Sequence, residues 1–289
     1  MNNLVLRAVT GTLFVVVLVG SMVFHPLSFT LLFALITGLT IWEFSTNVNR
    51  HAGAAVNRLI NTTGGVYLFL AFFYFFSGFG KNYSDAAVFA PYLVTLLVLP
   101  IAELYLQHKD PLKSWAYAFA SQLYVALPFS LLHALAFHYD AMSGEMQYKW
   151  ILPLSIFIFL WTSDTGAYCV GSLLHKKFPA KLFERISPNK SWIGSIGGGI
   201  FCRIAATVLH HFFQHDIYLS LGGWLGLGLV VCVFGTWGDL VESLFKRQLG
   251  IKDSGNLLPG HGGMLDRFDS ALLAIPAAVL YLYSVPFVF

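Results

Sequence analysis

Charged residues are scarce in this sequence, at 11% of 289 residues against about 25% in an ordinary soluble domain. Apolar residues make up 57% of the chain, and the mean hydropathy is +0.69. A chain this apolar has too few polar side chains to cover a surface that faces water, which excludes a soluble globular protein. We therefore predict that it folds in a lipid bilayer.

Cysteine is also rare, and no familiar nucleotide-binding loop is present. Cys169, Cys202 and Cys232 each lie in an apolar stretch, without the spacing of a metal-binding pair. The absence of a G-x-x-x-x-G-K-[ST] motif excludes a P-loop NTPase. The first apolar stretch, from Leu4 to Phe24, exceeds the roughly 7–15 residues of a signal-peptide core. We expect it to be a retained helix and not a cleaved signal.

Apolar segments that could cross a bilayer recur along the whole chain. A spanning helix needs about 20 mainly apolar residues. The sequence predicts nine such helices, at roughly residues 4–24, 27–46, 63–81, 86–106, 115–137, 149–171, 191–213, 217–238 and 268–289. We therefore expect an all-α polytopic membrane protein, with about five helices in residues 1–145 and a second region with two basic loops in residues 146–289.

The basic residues fall almost entirely on one side of these helices. Of the 17 Lys and Arg residues, 14 lie at the N-terminus or in connections that nine helices would place on one face. The other face receives Lys81 and Lys149, and Arg203 falls inside the seventh segment. Because Lys and Arg are enriched in cytoplasmic loops, we predict a cytoplasmic N-terminus and a periplasmic C-terminus. The polar loops at about 172–190 and 239–267 then face the cytoplasm, where nucleotides are found.

The segment from Gly238 to Ser270 is the richest in charge. Asp239, Glu242 and Lys246 are spaced to share one face of a helix. Further polar groups follow at Lys252, Asp253, His261, Asp266, Arg267 and Asp269. Carboxylates hold Mg²⁺ beside a substrate phosphate, cationic side chains neutralise phosphate charge, and glycines let a backbone approach a ligand. The combination favours phosphate chemistry over a merely solvated, salt-bridged loop.

Two earlier stretches carry further candidates. Asp164, within Ser163–Tyr168, places a carboxylate inside the sixth apolar segment, where ionisable groups are costly and usually functional. A carboxylate satisfied by neighbouring hydroxyls is the alternative. Ser187 and Pro188 are predicted to begin a helix, as N-cap and first-turn residues. The free N–H groups of that helix start and Lys190 would together form an anion site.

The segment from Ser243 to Asp269 resembles the signature of the phosphatidate cytidylyltransferase (CDP-diacylglycerol synthase) family. The matching positions are Ser243, Lys246, Arg247, Lys252, Asp253, His261, Gly262, Gly263, Asp266, Arg267 and Asp269. The stretches at 163–168 and 187–190 are similar to other segments of that family, so the resemblance covers about residues 150–289. Ile193 stands where the family often has Glu, and no role of that Glu is carried over.

This resemblance implies an enzyme of phospholipid biosynthesis in the inner (cytoplasmic) membrane, converting CTP and phosphatidate into CDP-diacylglycerol and pyrophosphate. For this reaction we expect Mg²⁺, or another divalent metal, bound by Asp239 and Asp266. We expect the catalytic residues to be Asp239, Lys246, His261, Asp266, Arg267 and Asp269. We expect the substrate-binding residues to be Asp164, Ser187, Lys190, Arg247 and Lys252. No nucleic acid is expected as a partner, and a homodimer is left open.

Two other functions also stay open at this point. A CTP-dependent polyprenol kinase would release CDP instead of pyrophosphate. A transporter of an anionic solute would need paired repeats with helices broken at the bilayer midplane, and the sequence shows no such pairing. Glu43 and Glu103, near the predicted cytoplasmic ends of their helices, are as consistent with boundary residues as with functional ones.

Overall fold

A computed structural model describes residues 3–78, 85–140, 143–257 and 262–284 of the chain. Ten α-helices lie in these residues: α1 (Asn3–Phe24), α2 (Pro26–His51), α3 (Arg58–Phe76), α4 (Ala90–Leu106), α5 (Pro111–Ser121), α6 (Leu127–Ala136), α7 (Ile151–Leu174), α8 (Trp192–Phe213), α9 (Leu221–Gln248) and α10 (Leu265–Ser284). A 3₁₀ turn (Asp85–Phe89) precedes α4, and a π-helical turn (Gln122–Ala126) joins α5 to α6.

Each of the nine predicted segments corresponds to a helix in the described residues, and the fifth corresponds to one rod made of α5, the π-helical turn and α6, over Pro111–Ala136. The ends of the third and ninth segments, residues 79–81 and 285–289, lie outside the described residues. Among the described residues, seven helices are long and apolar enough to cross a membrane. The apolar part of α1 is shorter, and α10 carries Asp266, Arg267 and Asp269 near its start. The all-α polytopic architecture is thus confirmed. The orientation of the termini and the division at residue 145 stay predictions.

The outer faces of the helices are apolar, as a bilayer requires. Leu13, Leu104 and Ile204 are 61%, 76% and 58% exposed, on three different helices. In water such surfaces would be unfavourable, whereas lipid tails solvate them at no cost. The helical backbone in turn satisfies its own hydrogen bonds, which a hydrocarbon solvent cannot do.

A cluster of buried aromatic rings fixes the beginning of α10 inside the bundle. The ring of Phe268 lies with its centroid 5.2 Å from that of Phe129, 6.0 Å from that of Phe157 and 6.2 Å from that of Phe33. These partners belong to α6, α7 and α2. The packing therefore positions the two carboxylates that flank Phe268, Asp266 and Asp269, by contacts from both halves of the chain.

Two short antiparallel hairpins connect helices. Strands β1 (Phe137–Asp140) and β2 (Glu145–Tyr148) lie between α6 and α7, with Phe137 paired to Tyr148. Strands β3 (Lys181–Phe183) and β4 (Ser187–Ser191) lie between α7 and α8. The second hairpin shapes the candidate site, because it brings the 187–191 segment across the end of α7.

The helix start predicted at Ser187 is wrong. Ser187 begins β4 and pairs with Phe183, and α8 starts four residues later than predicted, at Trp192. Its N-cap is Ser191, whose Oγ accepts a hydrogen bond from the Gly194 N–H at 3.2 Å. The physical reason is the pairing of β4 with β3, which keeps the backbone from Ser187 to Ser191 extended, so the helix begins only after Ser191.

Candidate active site

A cavity of about 480 Å³ opens between α7, the β3–β4 hairpin, the start of α8 and one residue of α9. It brings together the three candidates predicted from the middle of the chain, Asp164, Ser187 and Lys190. Other polar lining residues are Ser163, Ser172, His175, Lys181, Asn189, Ser191, Ser195 and Thr236. We call this cavity the α7–α8 cleft. Its hydroxyl, amide and lysine groups suit a polar, anionic ligand.

Lys190 joins this cleft to the charged face of α9. Its Nζ lies 2.5 Å from Asp239 Oδ2 and donates to the Thr236 carbonyl oxygen at 3.5 Å. The other oxygen of Asp239 accepts a hydrogen bond from Ser243 Oγ at 3.2 Å. The two constellations found separately in the sequence therefore meet in one site. The ion pair keeps partial access to solvent, with side chains 25% and 31% exposed.

Lys246 forms a second link, between α9 and α10. Its Nζ lies 2.7 Å from Glu242 Oε2 and 2.8 Å from Asp266 Oδ1. The Glu242 side chain is fully buried, and those of Lys246 and Asp266 are 13% and 6% exposed. Glu242 and Lys246 lie one turn apart on α9, as the spacing predicts. Buried charges of this kind persist only when they are paired.

Asp266 also organises the loop that precedes it. Its Oδ2 accepts backbone N–H hydrogen bonds from Ser254 at 2.9 Å and from Gly263 at 2.8 Å. Both carboxylate oxygens are thus occupied, one by Lys246 and one by the loop. A carboxylate in the first turn of α10 is also favoured by the partial positive charge of the helix N-terminus.

Asp269 lies one turn further along α10, where this helix meets α9. Its Oδ1 accepts a hydrogen bond from the Ser270 N–H at 2.5 Å. A Cβ atom at Gly238 would lie only 2.7 Å from the Asp269 carbonyl oxygen, so glycine is what permits the two helices to cross so closely. Asp269 is within electrostatic range of Asp239, Lys246 and Lys190, which places it at the same charged junction.

Three predicted cations lie on the surface beside this junction. Arg247, Lys252 and Arg267 are exposed, and Arg247 Nη1 donates to the Ile251 carbonyl oxygen at 3.4 Å. Within the described ranges, the side chains of Lys252 and Arg267 form no hydrogen bond or ion pair. They are therefore available to an anionic ligand. His261 lies outside the described residues.

Two residues that the sequence prediction did not assign also belong to the site. Glu43 of α2 accepts backbone N–H hydrogen bonds from Met264 and Leu265, at the start of α10. The Tyr124 hydroxyl, in the π-helical turn, is buried and has no hydrogen-bond partner among the described residues. It lies within electrostatic range of three carboxylates of the site. The sequence held a signal for Glu43, a carboxylate inside an apolar helix, and none for the π-helical turn.

The donor chemistry of the site fits a divalent metal. The carboxylates at the junction are Asp239, Glu242, Asp266 and Asp269, and they outnumber the two lysines paired with them. Glu242 Oε1 is buried without a hydrogen-bond partner in the described part of the chain. Hard oxygen donors and excess negative charge are what Mg²⁺ requires. No cluster of three His, Cys, Asp or Glu side chains is preassembled around a metal position in the described residues.

Comparison with known proteins extends the resemblance over nearly the whole chain. The Cytidylyltransferase family matches residues 5–285, well beyond the motif-bearing C-terminal half. The phosphatidate cytidylyltransferase of Haemophilus influenzae is 33% identical over 273 residues, which cover 90% of this chain and 91% of that protein. Enzymes of the same name from Staphylococcus aureus and Staphylococcus epidermidis are 41% and 40% identical over 161 residues, 56% of each chain. The chain therefore belongs to the cytidylyltransferase family and is a membrane-embedded nucleotidyltransferase.

Proposed function

We propose that this protein is a phosphatidate cytidylyltransferase of phospholipid biosynthesis, acting at the cytoplasmic face of a bacterial inner membrane. The observation that carries the proposal is the Lys190–Asp239 ion pair, which joins the α7–α8 cleft to the charged groups between α9 and α10. We call these groups, Asp239, Glu242, Lys246 and Asp266, the carboxylate–lysine network. A nucleotide in the cleft and a lipid beside the network would meet at this pair. The names of the family's relatives support CTP and phosphatidate as the two substrates.

The reaction places modest chemical demands on the protein. A phosphate oxygen of phosphatidate attacks the α-phosphorus of CTP and forms the new P–O bond of CDP-diacylglycerol. The bond from the α-phosphorus to the bridging oxygen breaks, and its electron pair leaves with pyrophosphate. Because the substrate supplies the nucleophile, no Ser or Cys nucleophile is required. Catalysis then consists of aligning the two substrates and neutralising their charge.

The α7–α8 cleft is the proposed CTP site. Lys190 and Lys181 provide positive charge for the triphosphate, and Ser187 and Asn189 provide hydrogen-bond donors. Asp164 is expected to accept hydrogen bonds from hydroxyl or amino groups of the nucleoside, because a carboxylate repels phosphates. A triphosphate in the cleft would compete with Asp239 for Lys190, so binding of CTP would release that carboxylate.

Asp239 and Asp266 are the residues proposed to hold Mg²⁺ or another divalent metal, which when bound neutralises phosphate oxygens. Asp266 can take this role only by giving up Lys246, since its second oxygen accepts two backbone N–H groups. Lys246 would then turn its ammonium group toward a substrate phosphate while Glu242 still holds it. The same pairing that stabilises this part of the fold would thus position a cation for a bound substrate.

The exposed cations beside the network are proposed to receive the lipid head group. Arg247 lies at the end of α9, Lys252 in the loop that follows and Arg267 at the start of α10, where apolar outer helix faces meet the loop. Phosphatidate would enter sideways from the bilayer, with its acyl chains against the helices and its phosphate at these cations. Its phosphate oxygen would then approach the nucleotide from the side of Lys190 that faces Asp239.

A labelled-nucleotide assay tests this proposal. The purified protein in detergent is given phosphatidate, Mg²⁺ and CTP labelled at the α-phosphate, and label in lipid and released pyrophosphate are both measured. The wild type is expected to move label into lipid with one pyrophosphate per transfer. Asp266→Asn is expected to lose at least about 100-fold in rate, because it removes charge at the reacting phosphates. Asp216→Asn, at an exposed position in the α8–α9 connection, is the matched control.

The same assay separates the alternatives. Release of CDP with lipid that carries no α-label would identify a lipid kinase and overturn the proposal. No transfer from CTP to any lipid phosphate by the wild type would overturn it as well. Equal rates for Asp266→Asn and Asp216→Asn would remove Asp266 from the reaction.

A further inference from the structure

We infer that Glu43 is a positioning residue for the reaction: from the N-terminal half of the chain, it holds the described parts of the α9–α10 loop (residues 249–257 and 262–264) and the start of α10 in place. The inference rests on the proposed function, because the groups held in this way are the proposed reacting ones. It gives the N-terminal helices, which carry no signature motif, a direct part in the site.

The Glu43 carboxylate lies against the first backbone N–H groups of α10. Its Oε2 accepts from Met264 N at 2.8 Å, and its Oε1 accepts from Leu265 N at 3.0 Å. These N–H groups have no carbonyl partner within their own helix, because a helix leaves its first four donors unsatisfied. Glu43 therefore caps α10 from a different helix, with the negative charge that the N-terminal end of the helix dipole favours.

The same carboxylate also holds the middle of the loop. Ser254 Oγ donates a hydrogen bond to Glu43 Oε1, and Asn47, one turn further along α2, donates to the Ser254 carbonyl oxygen at 2.7 Å. Gly255 and Gly263 pack on the carboxylate, and a Cβ atom at Gly255 would lie 2.7 Å from Glu43 Oε2. Residues near the middle of the loop (Ser254 and Gly255) and at its end (Gly263 and Met264) thus all contact the Glu43 side chain.

These contacts lead directly to the proposed reacting groups. Ser254 and Gly263, which contact Glu43 through a hydroxyl and through close packing, donate their backbone N–H groups to Asp266. Asp266 in turn holds Lys246 with its other oxygen. The same loop residues therefore contact Glu43 of α2 and Asp266 of α10. A shift on the Glu43 side would displace Asp266 and Lys246 together.

The charge of Glu43 is a specific feature of this arrangement. Among the described residues no Lys, Arg or His forms an ion pair with it, so hydrogen-bond donors of the loop and of α10 alone compensate the carboxylate. A glutamine would have one acceptor oxygen, and its amino group would face donors. Glu43→Gln therefore keeps the size of the side chain and removes one of its two hydrogen-bond acceptors.

The α7–α8 cleft is built independently of Glu43. Its lining residues come from α7, the β3–β4 hairpin, α8 and Thr236 of α9, and none of them contacts the α9–α10 loop through a described hydrogen bond. Loss of the Glu43 contacts should therefore spare CTP binding and impair the chemical step. A split between KM and kcat distinguishes this positioning role from general destabilisation.

The test compares Glu43→Gln with Glu103→Gln, a buried carboxylate on α4 that pairs with His108 at 2.8 Å. In the α-labelled CTP assay, Glu43→Gln is expected to lower kcat about 10- to 100-fold with KM for CTP within about 2-fold, as a small displacement of reacting groups does. Glu43→Asp, which keeps the charge, should recover part of the loss. Ser254→Ala as a single substitution should lower kcat. In a protein that already carries Glu43→Gln, it should lower kcat no further.

Amide hydrogen exchange of the folded proteins gives a readout that does not depend on turnover. Exchange in peptides covering residues 253–257 and 262–268 should rise in Glu43→Gln and stay at the wild-type level in Glu103→Gln. Wild-type kcat in Glu43→Gln, or unchanged exchange in that segment, would overturn the inference while leaving the proposed function intact. A wild type that makes no CDP-diacylglycerol would overturn the proposed function, and the exchange result would still decide whether Glu43 holds the loop.

Discussion

At the scale of single residues, ion pairs between buried charged side chains hold the candidate site together. Lys246 lies between Glu242 and Asp266, two carboxylates on different helices. Each of these groups would be costly in an apolar bundle if it were left alone. The ion pairs of Lys246 with Glu242 and Asp266 connect the last turns of α9 to the first turn of α10. A charged side chain thus serves both the packing of the helices and the chemistry.

Replacing Lys246 with methionine should therefore destabilise the protein strongly. Lys246→Met leaves two buried carboxylates without their cation, and breaking such a pair typically costs about 3–5 kcal/mol. Thermal unfolding in detergent measures the effect, with Lys252→Met as the control, since Lys252 is exposed and unpaired among the described residues. Equal melting temperatures for the two variants would contradict the assigned role of Lys246.

The sequence predicted which charged residues would lie near one another better than how they would be paired. The signature spacing identified Asp239, Lys246 and Asp266, and helical periodicity placed the first two on one face. The Lys190–Asp239 pair could not be predicted, because it depends on how the β3–β4 hairpin folds over α9. The sequence assigns no role to Glu43, because nothing local to α2 shows that its partners lie more than two hundred residues away.

At the scale of elements, the β3–β4 hairpin is where local sequence signals misled the prediction. Ser187 and Pro188 have the residue types of a helix start, and so does Ser191. Pairing with β3 keeps the first of these serines extended, and the second becomes the N-cap. Each of the nine apolar segments, in contrast, corresponds to a helix in the described part of the chain, because a helix satisfies its own backbone hydrogen bonds in a hydrocarbon solvent.

The N-cap assignment predicts different effects for two serine substitutions. Ser191→Ala removes the acceptor of the Gly194 N–H and should lower stability by about 1 kcal/mol, the usual cost of a lost cap. Ser187→Ala removes no cap and should leave the melting temperature within about one degree of wild type. If Ser187→Ala were instead the more destabilising change, the helix would begin where the sequence first suggested. Thermal unfolding of both variants in one detergent decides between them.

At the scale of the whole molecule, the two halves of the chain form one unit around the site. The motifs lie in the C-terminal half, yet α2 caps α10 and Phe33 and Phe129 pack against Phe268. The family match over residues 5–285 agrees with this, because it spans both halves of the chain. The division of the chain at residue 145 stays a prediction.

The predicted orientation can be tested by labelling cysteines from either side of the membrane. Lys252→Cys lies in the α9–α10 loop and Glu145→Cys in the β1–β2 hairpin, both at exposed positions. An impermeant maleimide should label Lys252→Cys only in inverted vesicles and Glu145→Cys only in spheroplasts. The wild type is the control, since its three cysteines are buried or half-buried. The opposite labelling pattern would place the site outside the cytoplasm and separate it from CTP.

The most direct measurement of the central claim, that the cleft and the carboxylate network act as one site, is a double-mutant cycle at Lys190 and Asp239. Transfer of α-label from CTP to lipid is measured for Lys190→Ala, Asp239→Ala and the double variant. Each single change is expected to lower the rate about 100-fold or more, and the double variant should be no slower than the slower single variant. Losses that multiply, or a wild-type rate for Lys190→Ala, would show that the two regions work separately.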